Sequence, residues 1–133
     1  MLARPNTYEQ YKQQGVMTAN PVELVVMLYD GCIKQLKLAS MAINENNHEN
    51  TNKCLQKAQA IIVELVNSLD FHYPIAKDLM NIYDFMLRQF VDINIQKDDE
   101  RIKKLIEMLL SLREAWAQVQ KTQRISNIAI MEE

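Results

Sequence analysis

Apolar residues recur at alternating spacings of three and four in four separate runs, and that period decides the fold. The runs are Val25, Leu28, Cys32, Leu36, Ala39 and Ile43; Leu55, Ala58, Ile62, Leu65 and Leu69; Ala76, Leu79, Tyr83, Met86, Phe90 and Ile93; and Ile102, Leu105, Leu109, Leu112, Trp116 and Val119. Each run lies on one face of a helix and buries one stripe. Only two glycines and three prolines interrupt the 133 residues, a composition that favours helix throughout. Four stripes of similar length joined by short turns predict an all-α fold, an antiparallel four-helix bundle in one domain. At a rise of ~1.5 Å per residue each helix is 33–36 Å long.

Local signals set the boundaries. Residues 1–19 read as an extended or irregular N-terminal extension. The first helix starts at Asn20, a good N-cap, with Pro21 at the first helical position and Glu23 at capping-box spacing. It runs to about Asn44, and the polar string Asn44–Asn50 is a turn. The second helix follows to about Phe71. His72, Tyr73 and Pro74 break it, and the third helix runs from Pro74 to about Gln96. Lys97 and Asp98 turn the chain. Asp98, Asp99 and Glu100 place negative charge at the positive end of the fourth helix, which continues to about Lys121. The bundle thus spans 20–121. Residues 122–133 form a tail, expected to be disordered, in which Ile125, Ile128, Ala129 and Ile130 allow one amphipathic helical turn.

Composition excludes several function classes. No apolar run approaches the ~20 residues of a membrane span, and the N-terminal stretch lacks the apolar segment of a secretory signal. A net charge of −2 and a pI near 5.7 argue against nucleic acid as partner. The small basic groups Lys34 and Lys37, Lys53 and Lys57, and Arg101, Lys103 and Lys104 stand beside acids or amides and read as solvated helix faces. Two cysteines without a motif fit a reducing compartment and a cytoplasmic location.

The first helix carries more apolar surface than its stripe. In NPVELVVMLYDGC, Asn20 to Cys32, every residue from Val22 to Tyr29 except Glu23 is apolar or aromatic. Leu24, Met27 and Leu38 flank one side of the stripe; Val22, Val26, Tyr29 and Ile33 flank the other. An outer bundle helix needs little more than a 100° stripe. Gly31 lies on the Leu24–Met27–Leu38 flank, costs roughly 1 kcal/mol against alanine inside a helix, and leaves a shallow depression. Two readings stand. Either the bundle is irregular and the first helix is central, or this flank is a groove that receives another segment. Tyr8, Tyr11, Val16 and Met17, just before the first helix, could lie on it as a removable cover.

Site chemistry of other kinds is absent from the pattern. A di-iron bundle wants two Glu-x-x-His pairs and two further carboxylates in its core. Here Glu45 and His48 form the only such pair, in a turn, so no metal and no cofactor is expected. No glycine-rich phosphate loop occurs. A hairpin centred near residue 47 levels Cys32 with position 62, roughly 12 Å from Cys54 along the axis. That is too far for a disulfide, so both cysteines read as small core residues. Trp116 fits the fourth stripe. Phe85 lies off the third stripe and either is an ordinary exposed residue or extends a binding surface. Eight methionines suit either core gap-filling or an adaptable contact face.

The segment YEQYKQQGVMTANPVELVVMLYDG, Tyr8 to Gly31, resembles the N-terminal signature of the flagellin export chaperone family FliS. IYDFML, Ile82–Leu87, and LREAW, Leu112–Trp116, look like two further blocks of that family. The resemblance covers about residues 6–121; Asn20 stands where the family often has serine or threonine, and all three are N-caps. The resemblance implies a cytosolic four-helix chaperone without enzymatic activity. Such a protein binds the disordered C-terminal segment of flagellin, blocks premature polymerisation and delivers it to the flagellar type III export gate. Carried over, the partner-binding residues are Leu24, Met27, Leu28, Gly31 and Leu38 with Phe85, and the N-terminal cover is Tyr8, Tyr11, Val16 and Met17. A component of the export gate is a further implied partner, and the chain is expected as a monomer or weak homodimer. The rival reading is a homodimeric helical scaffold or adaptor that buries the surplus face against itself.

Overall fold

A computed structural model describes residues 21–132, and of 124–132 the backbone alone. It contains four helices: α1 (Pro21–Asn44), α2 (His48–Asn67), α3 (Ile75–Gln96) and α4 (Asp99–Glu132). They pack in cyclic order. α1 lies between α2 and α4, and α3 closes the ring against the same two helices, so α1 and α3 face each other across the diagonal. Short connections make sequential neighbours antiparallel. The α1–α2 and α1–α4 interfaces are the most extensive, and the α3–α4 interface is the sparsest.

Each turn has a chemical cause. Asn46 takes a left-handed conformation (φ 54°), which asparagine tolerates better than most residues, and Asn47 caps α2 by accepting from the Asn50 N–H at 3.1 Å. α2 ends at Asn67, a turn earlier than the stripe suggests. There the Ser68 hydroxyl donates to the Leu65 carbonyl at 2.7 Å and Asp70 accepts from the His72 N–H at 3.0 Å. These local bonds compete with helical ones. Lys97, also left-handed (φ 52°), stops α3, its ammonium donating to the Asn94 carbonyl and side chain at 2.7 and 2.6 Å. Asp98 caps α4 by accepting from the Arg101 N–H at 3.2 Å.

α4 departs most from expectation, continuing past Lys121 to Glu132. Residues 122–132 contain no glycine or proline, so nothing halts helix propagation. Arg113 pairs with Asp30 of α1, and from that register Thr122 comes level with Pro21. The last turns of α4 therefore project beyond the start of α1.

The core joins all four stripes: Leu28, Cys32, Leu36 and Ala39 meet Leu55, Ala58, Ile62 and Leu65, with Leu79, Tyr83, Met86, Phe90, Ile93, Ile102, Leu105 and Leu109. Val25, Ile43, Leu69, Leu112 and Trp116 pack half-buried at its margin, whereas Val119 is exposed, because it lies near the projecting end of α4. Across the diagonal the Tyr29 and Tyr83 hydroxyls share a buried hydrogen bond, their rings 6.4 Å apart and tilted by 50°. Burial raises both phenol pKa values.

Cys32 and Cys54 are free thiols. The Cys32 Sγ lies 3.9 Å from the Ala58 carbonyl, about one helical turn from the expected level with position 62, because the α1–α2 turn is centred on Glu45 and Asn46. Burial pushes the Cys32 thiol up to about 12. Cys54 is only half-buried.

Candidate partner-binding surface

Neighbouring helices divide the apolar excess of α1 unevenly. Its buried positions, from Leu24 through Leu28 and Cys32 to Tyr29, Ile33 and Val26, spread over about 200° at 100° per residue. α4 occupies the Tyr29–Ile33–Val26 side. Arg113 grips Asp30 with Nε donating at 2.7 Å and the second guanidinium nitrogen at 3.3 Å, and Asp30 raises the Arg113 pKa. Asp99 accepts from the Ser40 hydroxyl and, at 3.4 Å, from Asn44. One surplus flank of α1 is thus sealed by a long helix.

The other flank remains partly open. Met27 and Gly31 are half-buried, Leu38 is 38 % exposed and Met41 56 %. Leu24 is 2 % exposed, yet it stands outside the connected core. Leu28 is fully buried within that core and backs the flank rather than presenting surface. Gly31 adjoins Cys32, where α2 crosses α1, so its missing side chain lies beside the α1–α2 seam. The Gln35 side-chain oxygen, one turn on, is buried without a hydrogen-bond partner among the described residues.

Five of the six expected contact residues thus share α1. The sixth, Phe85, is 38 % exposed on α3, diagonal to α1, and is not brought beside the flank. Tyr8, Tyr11, Val16 and Met17 lie outside the described residues.

Two apolar features escaped the sequence reading. Phe71, Tyr73 and Ile75 are exposed in and beside the α2–α3 connection, at the end of the bundle where α1 begins. An aromatic–His–aromatic–Pro–Ile string in a break was the available signal. Between α2 and α3 a shallow cleft is lined by Leu55, Phe90, Val91 and Ile95 and rimmed by the amides of Asn52, Gln56, Gln59 and Asn94. Val91 and Ile95, one turn apart, are largely exposed; their position between the α3 stripe and its polar face carried no separate signal.

Among the described residues no group of three or more potential ligands could hold a metal ion, and no helix is long and apolar enough to cross a membrane. The arrangement offers exposed apolar surface on its helices. Compared with known proteins, residues 4–123 match the family model described as flagellar protein FliS. The chain is 37 % identical over 123 residues to the flagellar secretion chaperone FliS of Bacillus subtilis, covering 92 % of both chains. It is 31 % identical to that of Salmonella typhimurium, over 80 % of this chain and 82 % of the relative. The FliS of Campylobacter jejuni is 26 % identical over 90 % and 94 %.

Proposed function

Because this chain belongs to the flagellar protein FliS family, we propose that it is a cytoplasmic, non-enzymatic secretion chaperone. In this reading it binds the disordered C-terminal segment of flagellin, prevents premature polymerisation, and hands its cargo to a component of the flagellar export apparatus. The observation that carries the reading is the open flank of α1: Leu38 and Met41 exposed, Met27 and Gly31 half-buried, in a bundle whose other α1 flank is closed by α4.

The physics is that of a helix laid in a groove. Segments that pack as helices in a polymer expose apolar stripes before assembly, and a bundle with spare apolar surface can bury them. Ordering such a segment costs ~2–5 kcal/mol, while each buried apolar side chain returns ~1.5–3 kcal/mol. A few anchors therefore suffice. Met27, Gly31 and Leu38 supply the contact surface, Leu24 and Leu28 support it, and Phe85 belongs to a separate stretch of the cargo's path on α3. Tyr8, Tyr11, Val16 and Met17 act as a cover displaced by cargo, which lowers net affinity and eases release.

The test is calorimetric titration of the full chain with a flagellin C-terminal fragment. One-to-one binding weakened by Met27→Glu and Leu38→Glu, with helix content unchanged, supports the reading; absence of binding overturns it. The exposed Val91 and Ile95 favour a rival homodimeric scaffold. Sedimentation across a concentration series separates the two, because the chaperone is monomeric or only weakly dimeric and the scaffold is a firm dimer.

A further inference from the structure

Folding brings separate basic groups together along the seam between α1 and α2. Cys32 touches the Ala58 carbonyl, and the two helices run antiparallel. Two residues on along α1 and two back along α2, Lys34 comes level with Gln56 and its neighbour Lys57. One turn further, Leu38 comes level with Asn52 and Lys53. The edges agree with this register. Asp30, Ser40 and Asn44 mark the α4 side of α1, leaving Leu38 on the α2 side of its exposed face and Lys34 at the middle of that face. Asn52, Gln56 and Gln59 mark the α3 side of α2, leaving Lys53 and Lys57 toward α1. Met41 continues the surface on the outer side of α1, whereas Lys37 lies between Asp30 and Asn44 on the α4 side.

All four lysines are exposed. Among the described residues Lys34, Lys37 and Lys57 make no ion pair, and Lys53 has one exposed helical contact, with Glu49 at 3.2 Å. The only ion pair among them lies within α2 and joins no two helices, so this cluster is not explained by bundle stability. It is bounded along the seam, by Glu23 and Glu64 at one end and Glu45 and Glu49 at the other. Within the basic window lie the exposed apolar side chains Leu38 and Met41.

We propose that this window is a docking surface for an amphipathic helical segment of a partner protein, one presenting carboxylates a turn apart beside an apolar anchor. Charge complementarity selects the occupant, since the carboxylates would answer Lys34, Lys53 and Lys57 while the anchor covers Leu38. The acidic ends limit the ligand to a short segment and disfavour an extended anionic bilayer. The inference does not depend on the flagellin reading: Leu38 is common to both surfaces, but the lysines belong to this one alone.

The probe is a synthetic helical peptide of about three turns, carrying two glutamates four residues apart beside a leucine, titrated against the full chain. The wild type is expected to bind it, more weakly as salt rises, and Lys34→Glu with Lys57→Glu to weaken binding by about tenfold or more. A peptide with lysines replacing the glutamates is expected to prefer the double variant. Lys53→Gln, a milder change, should weaken binding with the thermal melt unchanged. Equal binding of a glutamine-substituted peptide, or unaltered affinity of the double variant, would overturn the proposal. So would capture of the wild type on phosphatidylserine-containing vesicles, or a self-association, that the double variant abolishes without affecting the peptide.

Discussion

The Tyr29–Tyr83 pair shows how single side chains tie this bundle across its diagonal. Two buried phenols share one hydrogen bond, and the Trp116 indole approaches the Tyr29 hydroxyl from α4. Removing one partner strands the other, whereas removing both leaves matched apolar rings. Tyr83→Phe is therefore expected to cost about 1–2 kcal/mol in urea unfolding, and Tyr29→Phe with Tyr83→Phe less than the sum of the single losses. Additive losses would show that the hydroxyls act independently. The thiols differ in the same local way. Burial holds the Cys32 pKa above its unfolded value, near 9, up to about 12, so its stabilising share is complete below the unfolded pKa and is lost as pH rises from 9 toward 12. Unfolding free energies measured from pH 8 to 10.5 should decline less steeply in Cys32→Ala than in the wild type. A thiol reagent at neutral pH should modify Cys54 well before Cys32. Cys32 as a core residue was legible in its stripe, but the half-burial of Cys54 was not, because a register error of one turn changes which residues face each other.

At the scale of elements, the 3–4 spacing carried the four helices, their order and most of the core, since periodicity reports directly which face meets neighbours. Helix ends were less legible. Ser68 and Asp70 end α2 through side-chain bonds to nearby backbone, and a count of apolar residues does not register them. The continuation of α4 had the opposite cause, a tail with no stop signal and too few apolar residues to suggest burial. Since Thr122 levels with Pro21, ending the chain after Gln123 is expected to remove helical circular-dichroism signal while moving Tm by no more than a few degrees. A large drop would show that the projecting turns brace the bundle. The surplus on α1 was legible as surplus, but its division was not. Only the packed structure shows that α4 closes the Tyr29–Ile33 side and leaves Leu38 exposed. Pattern within one helix cannot specify which neighbour lies against which flank.

For the whole molecule, the FliS family model matches residues 4–123, and a helical ring with one partly open apolar flank gives the proposed chaperone role a surface to use. Phe85 marks the limit of reading a site from one sequence: its exposure was foreseeable, its place diagonal to α1 depends on the ring order of the helices. If the N-terminal cover operates, removing residues 1–17 should leave a folded bundle that binds more of an apolar-sensitive dye than the full chain does. Unchanged dye binding would dismiss the cover without touching the groove. The groove itself is tested most directly by titrating a flagellin C-terminal fragment into the wild type and into Leu38→Glu. A one-to-one complex that weakens by about tenfold in the variant, at unchanged Tm, is the expected result. Equal affinity of the two proteins, or no complex at all, would contradict it.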